Sequence, residues 1–200
     1  MRLIVATANA GKLRELRQML EPLGFEVLGL ADLADRPELR EEGDSFLDNA
    51  RSKAWPLVQS LGEPVLADDS GLVVDALGGA PGVRSARYAG PRATDADNNR
   101  KLLMELEGVP AKRRTAAFVC ALVLAVPGLG EVAAEGRVEG RILERPRGGG
   151  GFGYDPLFLV EGLGRTAAEL DPKTKNRVSH RGRAFRLLLP VLRDLGRGVL

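Results

Sequence analysis

The chain has 200 residues, 44% of them hydrophobic, with 29 Lys and Arg against 27 Asp and Glu and a formal net charge of +2. That length supports one sizeable core over residues 1–200 without covalent staples, and no run nears the roughly 18 apolar residues of a membrane span. Balanced charge argues against a nucleic-acid stripe, which needs clustered excess Lys and Arg, and a lone cysteine, Cys120, excludes an internal disulfide framework.

The opening apolar stretch is too short for a signal peptide and lacks a small-residue cleavage site after it, so it reads as a buried strand and the cytoplasm as the compartment. LIVAT (3–7) is that strand, and KLRELRQML follows as a helix through Leu13, Leu16 and Leu20. Phe25 to Leu28 suggests a second strand. Asp44 or Ser45 can cap a helix through FLDNARSKAWPLVQSLG that Gly62 terminates, with Pro56 kinking it or relaxing its preceding turn.

A strand over 64–67 and a separate short one over 72–74 come next, then a Gly/Pro-rich loop from Gly78 to Pro91. Thr94 or Asp95 caps the helix NNRKLLMELEG. Thr115 to Val126 is the longest strand, with GEVAAEGRVEGRI as its hairpin partner across turn signals at Pro127–Gly130. A Gly-rich loop (148–153) precedes Asp155-Pro156 and the short strand LFLV, and a helix runs from about Ser179 to Leu195. Strands and helices mix without strict alternation, which implies an α/β fold with a mixed sheet flanked by helices.

Five segments carry chemistry. Thr7-Ala8-Asn9-Ala10-Gly11-Lys12 sits where a strand hands over to a helix. Free N–H groups and the helix dipole there suit phosphate, although the segment lacks the spacing of a P-loop and, taken alone, reads first as a capped turn with a solvated lysine. Glu41-Glu42-Gly43 offers hard oxygen for Mg²⁺, or acids that favour a helix N-terminus. Asn49 and Lys53 share a helix face at i, i+4, where the ordinary expectation for Lys53 is a solvated position.

Asp68-Asp69-Ser70-Gly71 reads as two carboxylates at a strand end, suited to metal binding or general-base work, or as an ordinary turn. Gly148, Gly150 and Gly153 form a formal G-x-G-x-x-G, but no helix opens after them and Asp155-Pro156 follows, so the dinucleotide fingerprint lacks its context. Phe152 or Tyr154 can stack on a base there, with Asp155 accepting hydrogen bonds. Lys175 through Ser179-His180-Arg181 offers donors that suit an anion or a purine carbonyl better than nucleophilic attack.

In this order the segments T-x-N-x-G-K, E-x-G-x-S-F-x-x-N-A, A-D-D-S-G-L, G-G-A-P-G-V-x-S-A-R-Y-A-G, G-F-G-Y-D-P and S-H-R resemble the successive signatures of the inosine-triphosphate pyrophosphatase family, from Leu3 to about Leu188. The resemblance implies an elongated two-lobed α/β fold with a long curved mixed sheet. It also implies a Mg²⁺-dependent homodimer that hydrolyses deaminated purine triphosphates to monophosphate and pyrophosphate.

Carried over by position, Asp69 is the general base, and Glu41 with Asp69 holds the metal. Thr7, Ala8, Asn9, Ala10, Gly11 and Lys12 cradle phosphate, with Lys53 and Ser70 adding polyphosphate contacts. Phe152 stacks on the base, Gly153, Tyr154 and Asp155 shape its pocket, and Lys175, His180 and Arg181 read the purine edge. Ala8 stands where many relatives have Gly. The expected ligand is a small-molecule nucleoside triphosphate, with neither nucleic acid nor membrane as partner.

Overall fold

The computed structural model describes residues 1–33 and 43–200; Glu41 and Glu42 lie outside the described residues. The strands are β1 (Arg2–Ala6), β2 (Glu26–Gly29), β3 (Val65–Val74), β4 (Thr115–Val126), β5 (Gly130–Ile142) and β6 (Phe158–Val160). The helices are α1 (Ala10–Leu20), α2 (Phe46–Leu61), α3 (Asp95–Glu105), α4 (Pro172–Val178) and α5 (His180–Gly196). The strands hydrogen-bond in the order β2-β1-β3-β4-β5-β6. β1 pairs parallel with both β2 and β3, and β5 pairs antiparallel with β6, which makes the sheet mixed.

Two compact units divide the chain, and β3, β4 and β5 each pass from one into the other. The first comprises residues 1–69, 120–136 and 181–200. β1, β3 and β4 are buried on both faces there, so they are apolar almost continuously instead of alternating with polar residues. Leu66, Cys120, Leu122 and Leu124 pack with Leu16 and Leu20 of α1 and with Ala184, Phe185, Leu188 and Leu192 of α5. Val65, Ala67, Ala121, Val123 and Ala125, one residue out of phase, pack against Ala50, Ala54, Leu57 and Val58 of α2. The period of two along each strand thus sends alternate side chains to different helices.

The second unit comprises residues 70–119 and 137–180. Its core joins Leu72 and Val74 of β3, Leu102 and Leu106 of α3 and its C-terminus, and Phe118, Val138 and Phe158. Thr94 caps α3 reciprocally with Asp97, which satisfies donors that the first helical turn leaves orphaned.

α2 is capped by Ser45, whose side chain accepts from Asp48 N, and it ends at Gly62, which takes the left-handed conformation at φ 65°. It runs through Pro56 as one helix. The separate strands expected over 64–67 and 72–74 are one strand, β3, so Asp68-Asp69-Ser70-Gly71 is neither a strand end nor a turn. Partners distant in sequence bury these polar residues, which local propensity cannot anticipate. The Gly78–Pro91 loop carries a 3₁₀ segment over Gly82–Arg87. α4, absent from the expected elements, starts on an Asp171 cap with Pro172 in its first turn. Among the described residues, no helix is long and apolar enough to cross a membrane.

Candidate active site

The first unit holds a charged centre on β3. Because successive side chains on a strand face opposite ways, Asp68 points toward α1 and α5 while Asp69 points toward α2. Asp69 is 5% exposed. Its Oδ2 accepts from Asn49 Nδ2 at 3.0 Å and its Oδ1 meets Lys53 Nζ at 3.1 Å. Lys53 also donates to the Asp68 carbonyl at 2.6 Å. The i, i+4 spacing of Asn49 and Lys53 therefore works as expected, bringing both onto one carboxylate. Lys53 is buried, against the expectation of a solvated position. Asn49 Oδ1 in turn accepts from Gly43 N at 2.8 Å, tying the segment before α2 to the same acid.

Asp68 is fully buried and collects positive charge. Lys12 Nζ lies 2.7 Å from its Oδ1, Arg181 Nε donates to its Oδ2 at 2.7 Å, and the Cys120 thiol donates to Oδ2 at 3.2 Å. Burial pushes the Asp68 carboxyl up, but Arg181 and Lys12 outweigh it and hold the group well below the usual carboxylate range. Arg181, only 1% exposed, also donates through Nη1 to Glu15 of α1. Burial and the Asp68 charge both push the Cys120 thiol up. Asp68 and Asp69 are thus two separately neutralised carboxylates.

The strand-to-helix turn is the capped turn that the sequence also suggests. Asn9 caps α1, and its Oδ1 accepts from Gly11 N at 2.8 Å and Lys12 N at 3.1 Å, while Thr7 Oγ1 accepts from Asn9 N at 3.2 Å. Those amides already have acceptors, so a phosphate would contact other groups or displace Asn9. Thr7 and Gly11 are buried, whereas Ala8, Asn9 and Ala10 are exposed. Ser70 follows Asp69 on β3 and is half-buried. Sequence reasoning assigned no role to Asn49, Glu15 or Cys120; the spacing of Asn49 from Lys53 was the available signal for the first.

The second unit holds the aromatic loop. Lys175 of α4 ion-pairs with Asp155, and its ammonium stands 4.6 Å from the Phe152 ring centroid, over the ring. Asp155 Oδ2 accepts from Phe152 N at 2.9 Å. Gly151 is required at its position: it has φ +74°, and an added Cβ would lie 2.1 Å from Asp155 Oδ2. Tyr154 is buried and donates to the Ser85 carbonyl at 2.8 Å, so it supports the loop from below. His180 stacks on Phe118 with centroids 4.9 Å apart and is buried. The structure thus brings Phe152, Asp155 and Lys175 together in one unit; in the other it sets Lys53 on Asp69 at one face of β3 and Lys12 with Arg181 on Asp68 at the opposite face.

A mixed sheet flanked by helices, with a buried acid–lysine centre and a cation-backed aromatic loop on the same chain, defines an α/β protein with two charged, chemistry-bearing sites. The chain belongs to the Ham1 family, which it matches over residues 3–191. It is 56% identical over 187 residues to the dITP/XTP pyrophosphatase of Geobacter sulfurreducens, covering 94% of each chain. Among solved structures, a HAM1 protein from Coxiella burnetii superposes with a TM-score of 0.85 at 41% identity, covering 97% of this chain and 99% of the other. A nucleoside-triphosphatase / dITP/XTP pyrophosphatase from Mycobacterium abscessus gives 0.75 at 49% identity, covering 95% and 100%.

Proposed function

We propose that this protein hydrolyses deaminated purine nucleoside triphosphates such as dITP, ITP and XTP to the monophosphate and pyrophosphate, by attack of water on the α-phosphorus. The observation that carries this reading is Asp69, a buried carboxylate fixed between Asn49 and Lys53 on a strand flanked by the lysines that a polyphosphate needs. Relatives named dITP/XTP pyrophosphatase, at 56% identity and near-complete coverage, support the substrate class.

In this mechanism Asp69 accepts the proton of the attacking water, and its two hydrogen-bond partners keep its oxygens in a single orientation. Lys53 and Lys12 stabilise negative charge that accumulates on the bridging oxygen and the leaving pyrophosphate. Lys12 reaches this role by sharing its ammonium with Asp68.

Mg²⁺ fits the donor chemistry. It takes one or two protein carboxylates and keeps several waters. Asp69 offers hard oxygens, and no group of three or more metal-ligating side chains occurs among the described residues. Asp69 and Glu41 would hold the ion, which when bound would neutralise phosphate charge and polarise the attacking water.

Phe152, backed by Lys175, stacks on the base, with Gly153, Tyr154 and Asp155 shaping the surrounding loop. Lys175, His180 and Arg181 are the donors for the C6 carbonyl that distinguishes hypoxanthine and xanthine from adenine. An amino group facing buried donors leaves them unpaired, which penalises ATP. For Arg181, reaching a base means giving up a bond to Asp68 or Glu15. We further propose a cytoplasmic homodimer, which light scattering on the purified protein tests.

Product analysis tests the reaction. Purified protein with Mg²⁺ should convert dITP and XTP to monophosphate and pyrophosphate, much faster than it converts ATP or GTP. Diphosphate with orthophosphate would mean attack at the γ-phosphorus and would overturn the mechanism.

A further inference from the structure

The aromatic loop is held by α3 as well as by its own residues. Gly153 N donates to Asp95 Oδ2 at 2.7 Å, and the Gly153 carbonyl accepts from Asn99 Nδ2 at 2.9 Å. Asp95 and Asn99 stand i, i+4 on α3, so both side chains project from one face of the helix toward one residue of the loop. From within the loop, Asp155 Oδ2 accepts from Phe152 N, and Asp155 N donates to the Phe152 carbonyl at 3.2 Å. The peptide groups on both sides of Phe152 and of Gly153 are therefore all fixed.

Gly153 itself has φ +60°, with nothing within 4 Å of where a Cβ would stand. A glycine loses more conformational freedom on ordering than any other residue, and no side chain of its own packs to hold it. Left to the loop alone, the joint just after Phe152 would be its freest point. α3 is a firm anchor: its first turn is capped by the Thr94–Asp97 pair and Leu102 is fully buried in the core.

We propose that Asp95 and Asn99 are positioning residues for the Phe152 loop, fixing the ring before substrate arrives and so setting affinity for the base. This rests on the reading of Phe152 as the base-stacking residue. Ordering the loop in the free protein removes that entropic cost from the binding step, which raises affinity without adding a contact to the ligand. The residues leave the chemical step alone, since neither belongs to the acid–lysine centre. Their loss should appear in KM far more than in kcat.

The test compares Asp95→Ala, Asn99→Ala, Asp95→Asn and Asn99→Asp by dITP kinetics and by hydrogen exchange of the loop peptide. Losing one such hydrogen bond should raise KM about fivefold or more, with kcat within about twofold. Loop exchange should quicken in both alanine variants. Asp95→Asn should restore both readouts, because its amide oxygen still accepts from Gly153 N. Asn99→Asp should not, because a carboxylate has no proton to donate to the Gly153 carbonyl. Unchanged exchange in both alanine variants would overturn the grip. Faster exchange with unchanged KM would overturn its link to affinity, and a fall in kcat at constant KM would reduce it to a folding contribution. A wild type that turns over no purine triphosphate would sink the base-stacking reading and the affinity claim with it, while exchange still decides the grip.

Discussion

Asp68 and Asp69 are consecutive on β3 yet face opposite sides of the sheet, Asp68 onto Lys12, Arg181 and Cys120, Asp69 onto Asn49 and Lys53. One strand thereby carries two acids with different work. Asp68 ties helices together, and Asp69 stands where chemistry is proposed.

Substitution should separate the two. Asp68→Asn removes the negative charge that Arg181 and Lys12 share, leaving both cations short of counter-charge in a buried setting, a change that typically costs about 3–5 kcal/mol, and urea denaturation should show it. Asp69→Asn retains an oxygen for Lys53, which also keeps the Asp68 carbonyl, so its stability cost should be smaller. Its kcat on dITP should fall by about 10²- to 10⁴-fold, the range of a lost general base. Comparable activity losses at equal stability would remove the distinction.

Acid should weaken the fold through Asp68. Its carboxyl titrates in the folded chain well below its unfolded value of about 3.9. A depressed folded value contributes stability that is complete above the unfolded value and declines as pH falls from about 4 toward the folded one. Unfolding free energy measured between pH 2 and pH 7 should drop in that lower window, and Asp68→Asn should lack this component of the drop.

Cys120 should be chemically silent in the native protein. It is fully buried, and burial together with the Asp68 charge keeps the thiol protonated, whereas the thiolate is the reactive form. A thiol-reactive disulfide reagent at pH 8 should label it only as fast as the chain opens, and fully in denaturant. Rapid stoichiometric labelling of folded protein would contradict this burial.

Phe152→Ala should weaken substrate capture. Stacking of a base on an aromatic ring contributes about 1–3 kcal/mol, so KM for dITP should rise by roughly 5- to 150-fold with little change in kcat. Phe152→Tyr, which keeps a ring, should stay near wild type.

Much of the architecture was legible from periodicity. Leu13, Leu16 and Leu20 mark α1, Ser45 and Gly62 bracket α2, and the long apolar run from Thr115 marks β4. The ordered motifs also pointed to a family that the match over residues 3–191 bears out. From sequence β3 reads as two strands, because Asp-Asp-Ser-Gly resembles a turn unless its distant partners are known. Arg181 lies 113 residues from Asp68, and no local pattern announces their pairing. Lys53 looked solvated for the same reason, since the acid that buries it lies on another element. Asp171-Pro172, a cap followed by a first-turn proline, was the overlooked sign of α4.

The pairing of Arg181 with Asp68 and Glu15 also imposes an order in time. Synthesis delivers Glu15 and Asp68 first, and their common guanidinium only 166 and 113 residues later. Until Arg181 emerges, Asp68 can meet Lys12 but not the guanidinium that it shares with Glu15, and burying both acids would be costlier than in the finished chain. The half of the sheet around β1 and β3 therefore has an electrostatic reason to stay open during translation, closing as α5 docks.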